Sequence, residues 1–117
     1  MQLSGEVIRG QGLATELYNL PTANLDVAVP QQLGAGVYAA YAMINSVQNP
    51  ALVYISPSSP ASLEVHIFNF RGNLYGQTLT VDIQTSLSPH VPWESQVQMT
   101  AKILEDVRLA KEYFGLS

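Results

Sequence analysis

Hydrophobic and polar positions alternate most regularly near the middle of the second half, where Leu79, Val81 and Ile83 stand between Thr78, Thr80, Asp82 and Gln84. A period of two sends successive side chains to opposite faces, so this stretch reads as a strand with one wet face. The whole segment LYGQTLTVDIQT, 74–85, is assigned to it. It faces LEVHIFNF, 63–70, across the short connection RGN, an expected hairpin. LSGEVIR, 3–9, is a further strand, punctuated by Gly10 and Gly12. GVYAAYAMI, 36–44, and ALVYIS, 51–56, read as core strands separated by a turn over 45–50.

From Trp93 the period changes. Met99, Ile103, Val107, Ala110 and Phe114 recur at steps of four, four, three and four, one stripe of a helix, and Gly115 is a natural stop. Strands at short intervals with no helix between them predict a closed or nearly closed antiparallel barrel, not a βαβ fold, with this helix packed on the sheet. SPSSPAS, 56–62, reads as an exposed loop of the same domain, so residues 1–117 form one domain.

Composition narrows the setting. A chain of 117 residues is long enough for one buried core. Cysteine is absent, which excludes disulfides and thiolate zinc sites and fits a reducing compartment. The start has no basic region followed by an apolar run, and no stretch approaches the roughly 20 apolar residues that a bilayer needs. The expectation is a cytoplasmic protein without a membrane partner. Net charge is −4, and Arg9, Arg71, Lys102, Arg108 and Lys111 are too few for the basic stripe that nucleic acid requires. Charged residues make up 12% of the chain, against about 25% in ordinary domains. Either a partner covers some surface, or Gln, Ser, Thr and Asn keep it wet.

Most candidate motifs carry little. GQG at 10–12 follows a strand but lacks the third glycine of a dinucleotide fingerprint and the lysine of a phosphate loop. His66 reads as a structural residue on a strand, and His90, between prolines, as exposed. NLPTANLDV, 19–27, places the Thr22 hydroxyl and the Asn24 carboxamide two residues apart behind Pro21, and locally this is a turn into a strand. Glu64 stands out. Alternation sets Glu64, His66, Phe68 and Phe70 on one face, and a carboxylate beside two phenylalanines is costly unless it is paired or used. Two readings stay open: burial that strengthens Glu64 as a base, or a position at the barrel rim in water.

Five ordered segments, GEVIRGQG, LPTANLDV, GAGVYAAYAMI, LEVHIFNFRGNLYGQTLTVDI and SLSPHVPWES before the helix, together resemble the riboflavin kinase domain. The resemblance covers nearly the whole chain. Its most specific parts are Pro21-Thr22-Ala23-Asn24 and Glu64-x-His66-Ile67. It implies a mainly β fold, a six-stranded antiparallel Greek-key barrel with a C-terminal helix. It also implies transfer of the ATP γ-phosphoryl group to the 5'-hydroxyl of riboflavin, giving FMN and ADP. By the same resemblance Thr22 and Asn24 would serve Mg²⁺ or another divalent cation, and Glu64 would be the catalytic base. Gly10, Gly12, Ala14, Thr15, Pro21 and Thr22 would meet the nucleotide, and Leu87, Ser88 and Trp93 the flavin.

This chain departs from the family pattern at several places. Asn19 replaces a usual glycine; Leu13, Ala14 and Thr15 replace a stretch with a glycine or a basic residue. Tyr54-Ile55-Ser56 stands where Asn-Ile-Gly is common, and Ser88 where an arginine is typical, so a cation is expected to be lost there. No nucleotidyltransferase segment is recognised, and FAD synthesis is not expected. The altered loop and Ser88 keep open a flavin-binding module without turnover, and the low charge density an interaction domain.

Overall fold

Among the described residues the chain builds six strands, β1 (Gln2–Ile8), β2 (Ala23–Asp26), β3 (Gly36–Ile44), β4 (Val47–Ile55), β5 (Leu63–Ile67) and β6 (Thr78–Pro89), then one helix, α1 (Gln96–Phe114). The structure, a computed structural model, describes residues 1–8, 22–68, 70 and 72–116. All pairings are antiparallel, and the strands close into a barrel in the order β1-β2-β5-β4-β3-β6. The expected barrel with its C-terminal helix is the fold observed.

The interior is filled from alternate positions. Leu3 and Val7, Leu25, Ala40 and Ala42, Val53 and Ile55, Leu63 and Val65, Leu79 and Val81 form one buried cluster inside the barrel. The opposite face of β3 and β4 carries a second cluster, Val37, Leu52, Phe68 and Ala110, beneath α1. A helix packs outside a closed barrel only where small or apolar residues replace polar ones on the outer face, and Val37, Ala39 and Leu52 do so here. Ser95 caps α1 by accepting from the Gln98 amide, and Gly115 ends it in the left-handed conformation at φ 70°.

The expected hairpin between the fifth and sixth strands does not form. β5 pairs with β2 and β4, β6 with β1 and β3, so the two lie across the barrel from each other. The chain between them spans one barrel end, with Phe70 and Leu74 packed on the interior cluster. Backbone bonds from Gly76 to Val7 and from Val7 to Gln77 fasten it there. Phe70 therefore leaves the face of Glu64, because β5 stops at Ile67.

The turn expected over 45–50 is only Asn45 and Ser46, at φ 50° and 65°. That geometry suits the twist of a two-residue hairpin. Pro50 sits in β4 opposite Tyr41, and β5 joins β4 only from Ala51, so no ladder bond is lost to its missing N–H. β6 starts later than expected and runs on to Pro89, because bulges opposite Val37/Tyr38 and Ala39/Ala40 break the alternation without ending the pairing. β2 begins within the PTAN turn itself. Its close seating on β1 depends on Gly5, where a Cβ would collide with the Asp26 carbonyl.

Candidate active site

β5 is the strand on which the chemistry converges. Its interior positions, Leu63, Val65 and Ile67, are core, which forces Glu64 and His66 to the outer face. That face is not wet here. Glu64 is only 1% exposed, which rules out the rim position in water. The hydroxyl of Thr22 donates to Glu64 Oε1 at 3.0 Å, and Asn24 on β2 is the cross-strand partner of Glu64. Thr22 and Asn24, far from Glu64 in sequence, thus stand in one cluster with it.

The row continues across the barrel. Tyr54 on β4 is the other cross-strand partner of Glu64, Val37 on β3 is the partner of Tyr54, and Ser88 on β6 the partner of Val37. Directly opposed residues share a face with Cβ atoms about 5 Å apart, so these side chains form one line across the outer face of the barrel, Val37 lying beneath α1. Tyr54 is half-buried, and burial together with the neighbouring Glu64 carboxylate pushes its phenol above its ordinary pKa. Sequence reading placed Tyr54 in a core strand and noted it as a departure from a family pattern, without setting it beside Glu64. Its place beside Glu64 depends on the register of β4, which nothing in the local sequence displays.

On the other side of Thr22 a cavity of about 340 Å³ opens at the bridged end of the barrel. Val7 and Val65 form its apolar floor, and His66, Phe70, Asn73 and Tyr75 its wall. His66 meets Phe68 edge-on at 5.2 Å between ring centres. Of the residues assigned to the nucleotide, Gly10, Gly12, Ala14, Thr15 and Pro21 lie outside the described residues, and Thr22 lies at the cavity.

The three residues assigned to the flavin are placed differently from one another. Leu87 packs on the cluster of Val37 and Phe68, Ser88 is half-buried, and Trp93 stands 61% exposed before α1. Ser88 donates to Asp106 Oδ1 at 2.7 Å and accepts from Lys102 Nζ at 3.0 Å, while Lys102 and Asp106 pair at 2.7 Å. The cation expected to be lost at Ser88 is therefore delivered from α1. Asp106 was missed because only the apolar members of the stripe were followed, although Met99, Ile103, Asp106 and Ala110 share the helical spacing and are all buried.

The oxygen chemistry of Thr22, Asn24 and Glu64 suits a hard cation such as Mg²⁺, which takes one or two carboxylates and completes its shell with phosphate oxygens and water. The Thr22 hydroxyl donates to Glu64, and a hydroxyl oxygen is of the donor type that a hard cation takes. Among the described residues no group of three or more His, Asp or Glu gathers into a metal cluster. No helix among them is long and apolar enough to cross a membrane.

Residues 1–114 match the family model of Flavokinase, riboflavin kinase. The bifunctional riboflavin kinase/FMN adenylyltransferase of Buchnera aphidicola subsp. Schizaphis graminum is 31% identical over 124 residues, covering 97% of this chain and 39% of that protein. The riboflavin kinase of Homo sapiens is 29% identical over 123 residues, covering 96% of this chain and 79% of its own length. The crystal structure of riboflavin kinase from Trypanosoma brucei superposes with a TM-score of 0.73 at 16% identity, over 97% of this chain and 76% of that one, a likeness of fold.

Proposed function

Because the chain belongs to the riboflavin kinase family, we propose that it transfers the γ-phosphoryl group of ATP to the 5'-hydroxyl of riboflavin, giving FMN and ADP. The observation that carries this reading is the buried Glu64 carboxylate, held by the Thr22 hydroxyl and opposed by Asn24. Phosphoryl transfer asks a protein for positioning, charge neutralisation and an acceptor for the alcohol proton.

Glu64 takes that proton as the 5'-oxygen attacks. Its Oε1 is fixed by Thr22, so the carboxylate meets the alcohol in one orientation rather than many. Thr22 and Asn24 would hold a divalent cation, which when bound supplies positive charge to the phosphates. The cavity beside Thr22 is of small-molecule size, with apolar and aromatic walls suited to a nucleotide base. Backbone N–H groups of the segment before Thr22 would face the phosphates, a role that needs neither lysine nor arginine. Leu87, Ser88 and Trp93 border the flavin ring, with the ribityl chain running from there to Glu64. ATP as donor fits a cytoplasmic enzyme.

The test is incubation of the purified chain with riboflavin and ATP, with and without MgCl₂, and separation of FMN from riboflavin by chromatography. FMN that requires the metal is expected. Bound flavin without FMN would overturn the kinase reading and leave a binding module.

A further inference from the structure

The helix α1 is apolar on two sides. Met99, Ile103, Asp106 and Ala110 are buried against the barrel, and half a turn around the helix Val97, Ala101 and Leu104 share a second stripe at steps of four and three. Val97 is 79% and Leu104 65% exposed, and Ala101 between them is exposed as well. An outward helix face is ordinarily polar and charged. Here the first turn holds no acidic residue, and from Gln96 to Leu104 the one charged side chain, Lys102, is directed onto Asp106. Charge returns at the two ends of the stripe. Glu94 stands exposed just before the cap residue Ser95, and Arg108 is exposed one turn beyond Leu104. A middle bare of charge inside a charged rim is the anatomy of an interface.

We propose that this stripe is the interface of a weak antiparallel dimer of two copies of the chain, with Ala101 on the two-fold axis. The spacing is self-complementary. In an antiparallel pair, residues equally far before and after the axis meet, so Val97 packs on Leu104 of the second copy and Leu104 on its Val97. Arg108, seven residues after Ala101, comes level with Glu94, seven before it, of the second copy. A parallel pair would instead set Glu94 against Glu94 and Arg108 against Arg108, so charge chooses the orientation. Arg108 already bonds Glu105 and Glu112 on its own helix through three of its N–H groups. A guanidinium has five, which leaves donors for Glu94. Alanine at the crossing lets the two backbones approach closely. One helix face buries less than the roughly 800 Å² per partner of a standard interface, so the dimer is weak, with a Kd on the order of 10⁻⁴ M.

Sedimentation velocity of the full chain, over a series from about 10 µM to about 1 mM, brackets that affinity and tests the proposal. The average mass should climb toward twice that of the monomer. Leu104→Glu, which sets a carboxylate at both symmetric contacts, should weaken association at least tenfold and leave circular dichroism and thermal unfolding of the dilute protein unchanged, because Leu104 is exposed. Single cysteines report the register, since the chain has none of its own. Ala101→Cys should be joined across the axis by a short bismaleimide. Glu112→Cys, on the same stripe, should not, because in the antiparallel pair it lies roughly 33 Å along the helix from its counterpart. A wild type that stays monomeric throughout the series overturns the proposal and leaves the stripe to a partner of another sequence. A dimer that persists in Leu104→Glu, or Glu112→Cys joined as readily as Ala101→Cys, overturns it as well. None of these readouts uses FMN formation, so they stand or fall apart from the riboflavin kinase reading.

Discussion

Glu64 and Asp106 are buried almost equally, at 1% and 2% exposure, but they sit on different elements and face different neighbours among the described residues. Asp106 has an ammonium on one side, Lys102 at 2.7 Å, and the Ser88 hydroxyl on the other, also at 2.7 Å. Around Glu64 the structure describes a hydroxyl, Thr22, and flanking carboxamide and phenol residues on the neighbouring strands. A buried charge costs several kcal/mol unless something offsets it. At Asp106 the offset is an opposite charge, which makes a joint between α1 and β6. At Glu64 the Thr22 hydroxyl orients Oε1 beside Asn24 of the neighbouring strand, where the proposed acceptor alcohol would meet it. The comparison sets a carboxylate that joins two elements of the fold against one proposed for the chemistry.

The largest effect that would break this contrast is Glu64→Gln. The amide is the same size, still accepts from Thr22 and carries no charge. FMN formation should fall by about 10² to 10⁴, the usual worth of general base catalysis, with the fold retained because the amide keeps the size of the side chain and its bond with Thr22. Riboflavin affinity, read by flavin fluorescence, should stay within about twofold. A kcat within a few-fold of wild type would remove Glu64 from the reaction and dissolve the distinction between the two carboxylates.

The same contrast explains what could be read from sequence. Period-two segments such as Thr78 to Gln84 and the helical stripe from Met99 to Phe114 follow from local geometry, and both formed. Glu64 was legible because a charged residue broke an apolar face. The partners of a strand were not legible: β5 and β6 follow each other in the chain yet lie across the barrel, a consequence of closure rather than of any turn residue. Bulges opposite β3 hid the last four residues of β6, including Ser88. Tyr54 beside Glu64, and Lys102 reaching Ser88, are long-range facts of register and helix docking.

A smaller effect is expected at the joint. Asp106→Asn should keep the bond with Ser88 but leave the Lys102 ammonium without its counter-charge. Lys102 retains partial exposure, so the loss should be about 2 kcal/mol rather than the full value of a deeply buried pair. Thermal unfolding should move down by roughly 8 °C for a domain of this size, with kcat of the folded fraction within about twofold. Replacing both partners, Lys102→Met with Asp106→Leu, should cost less than either single change, since no charge is then stranded. A large fall in kcat for Asp106→Asn at a temperature where it is fully folded would give the joint a part in catalysis.

The smallest of the three tests whether Thr22 belongs wholly to the reactive side of the comparison. Its hydroxyl donates to Glu64 Oε1, and its lone pairs are the proposed seat of the metal. Thr22→Val keeps the shape and removes both functions; Thr22→Ser restores them with a looser side chain. If Thr22 only orients Glu64, Thr22→Val lowers kcat about five- to tenfold, one hydrogen bond's worth, and the Mg²⁺ concentration for half-maximal rate does not move. If it also holds the ion, that concentration rises by a similar factor and Thr22→Ser brings it most of the way back. The second pattern is the one expected here, because the hydrogen and the lone pairs of a single hydroxyl point in different directions and can serve base and metal together. A Thr22→Val enzyme with unchanged rate and unchanged metal dependence would make the Thr22–Glu64 bond a structural contact, on the same footing as Ser88 and Asp106.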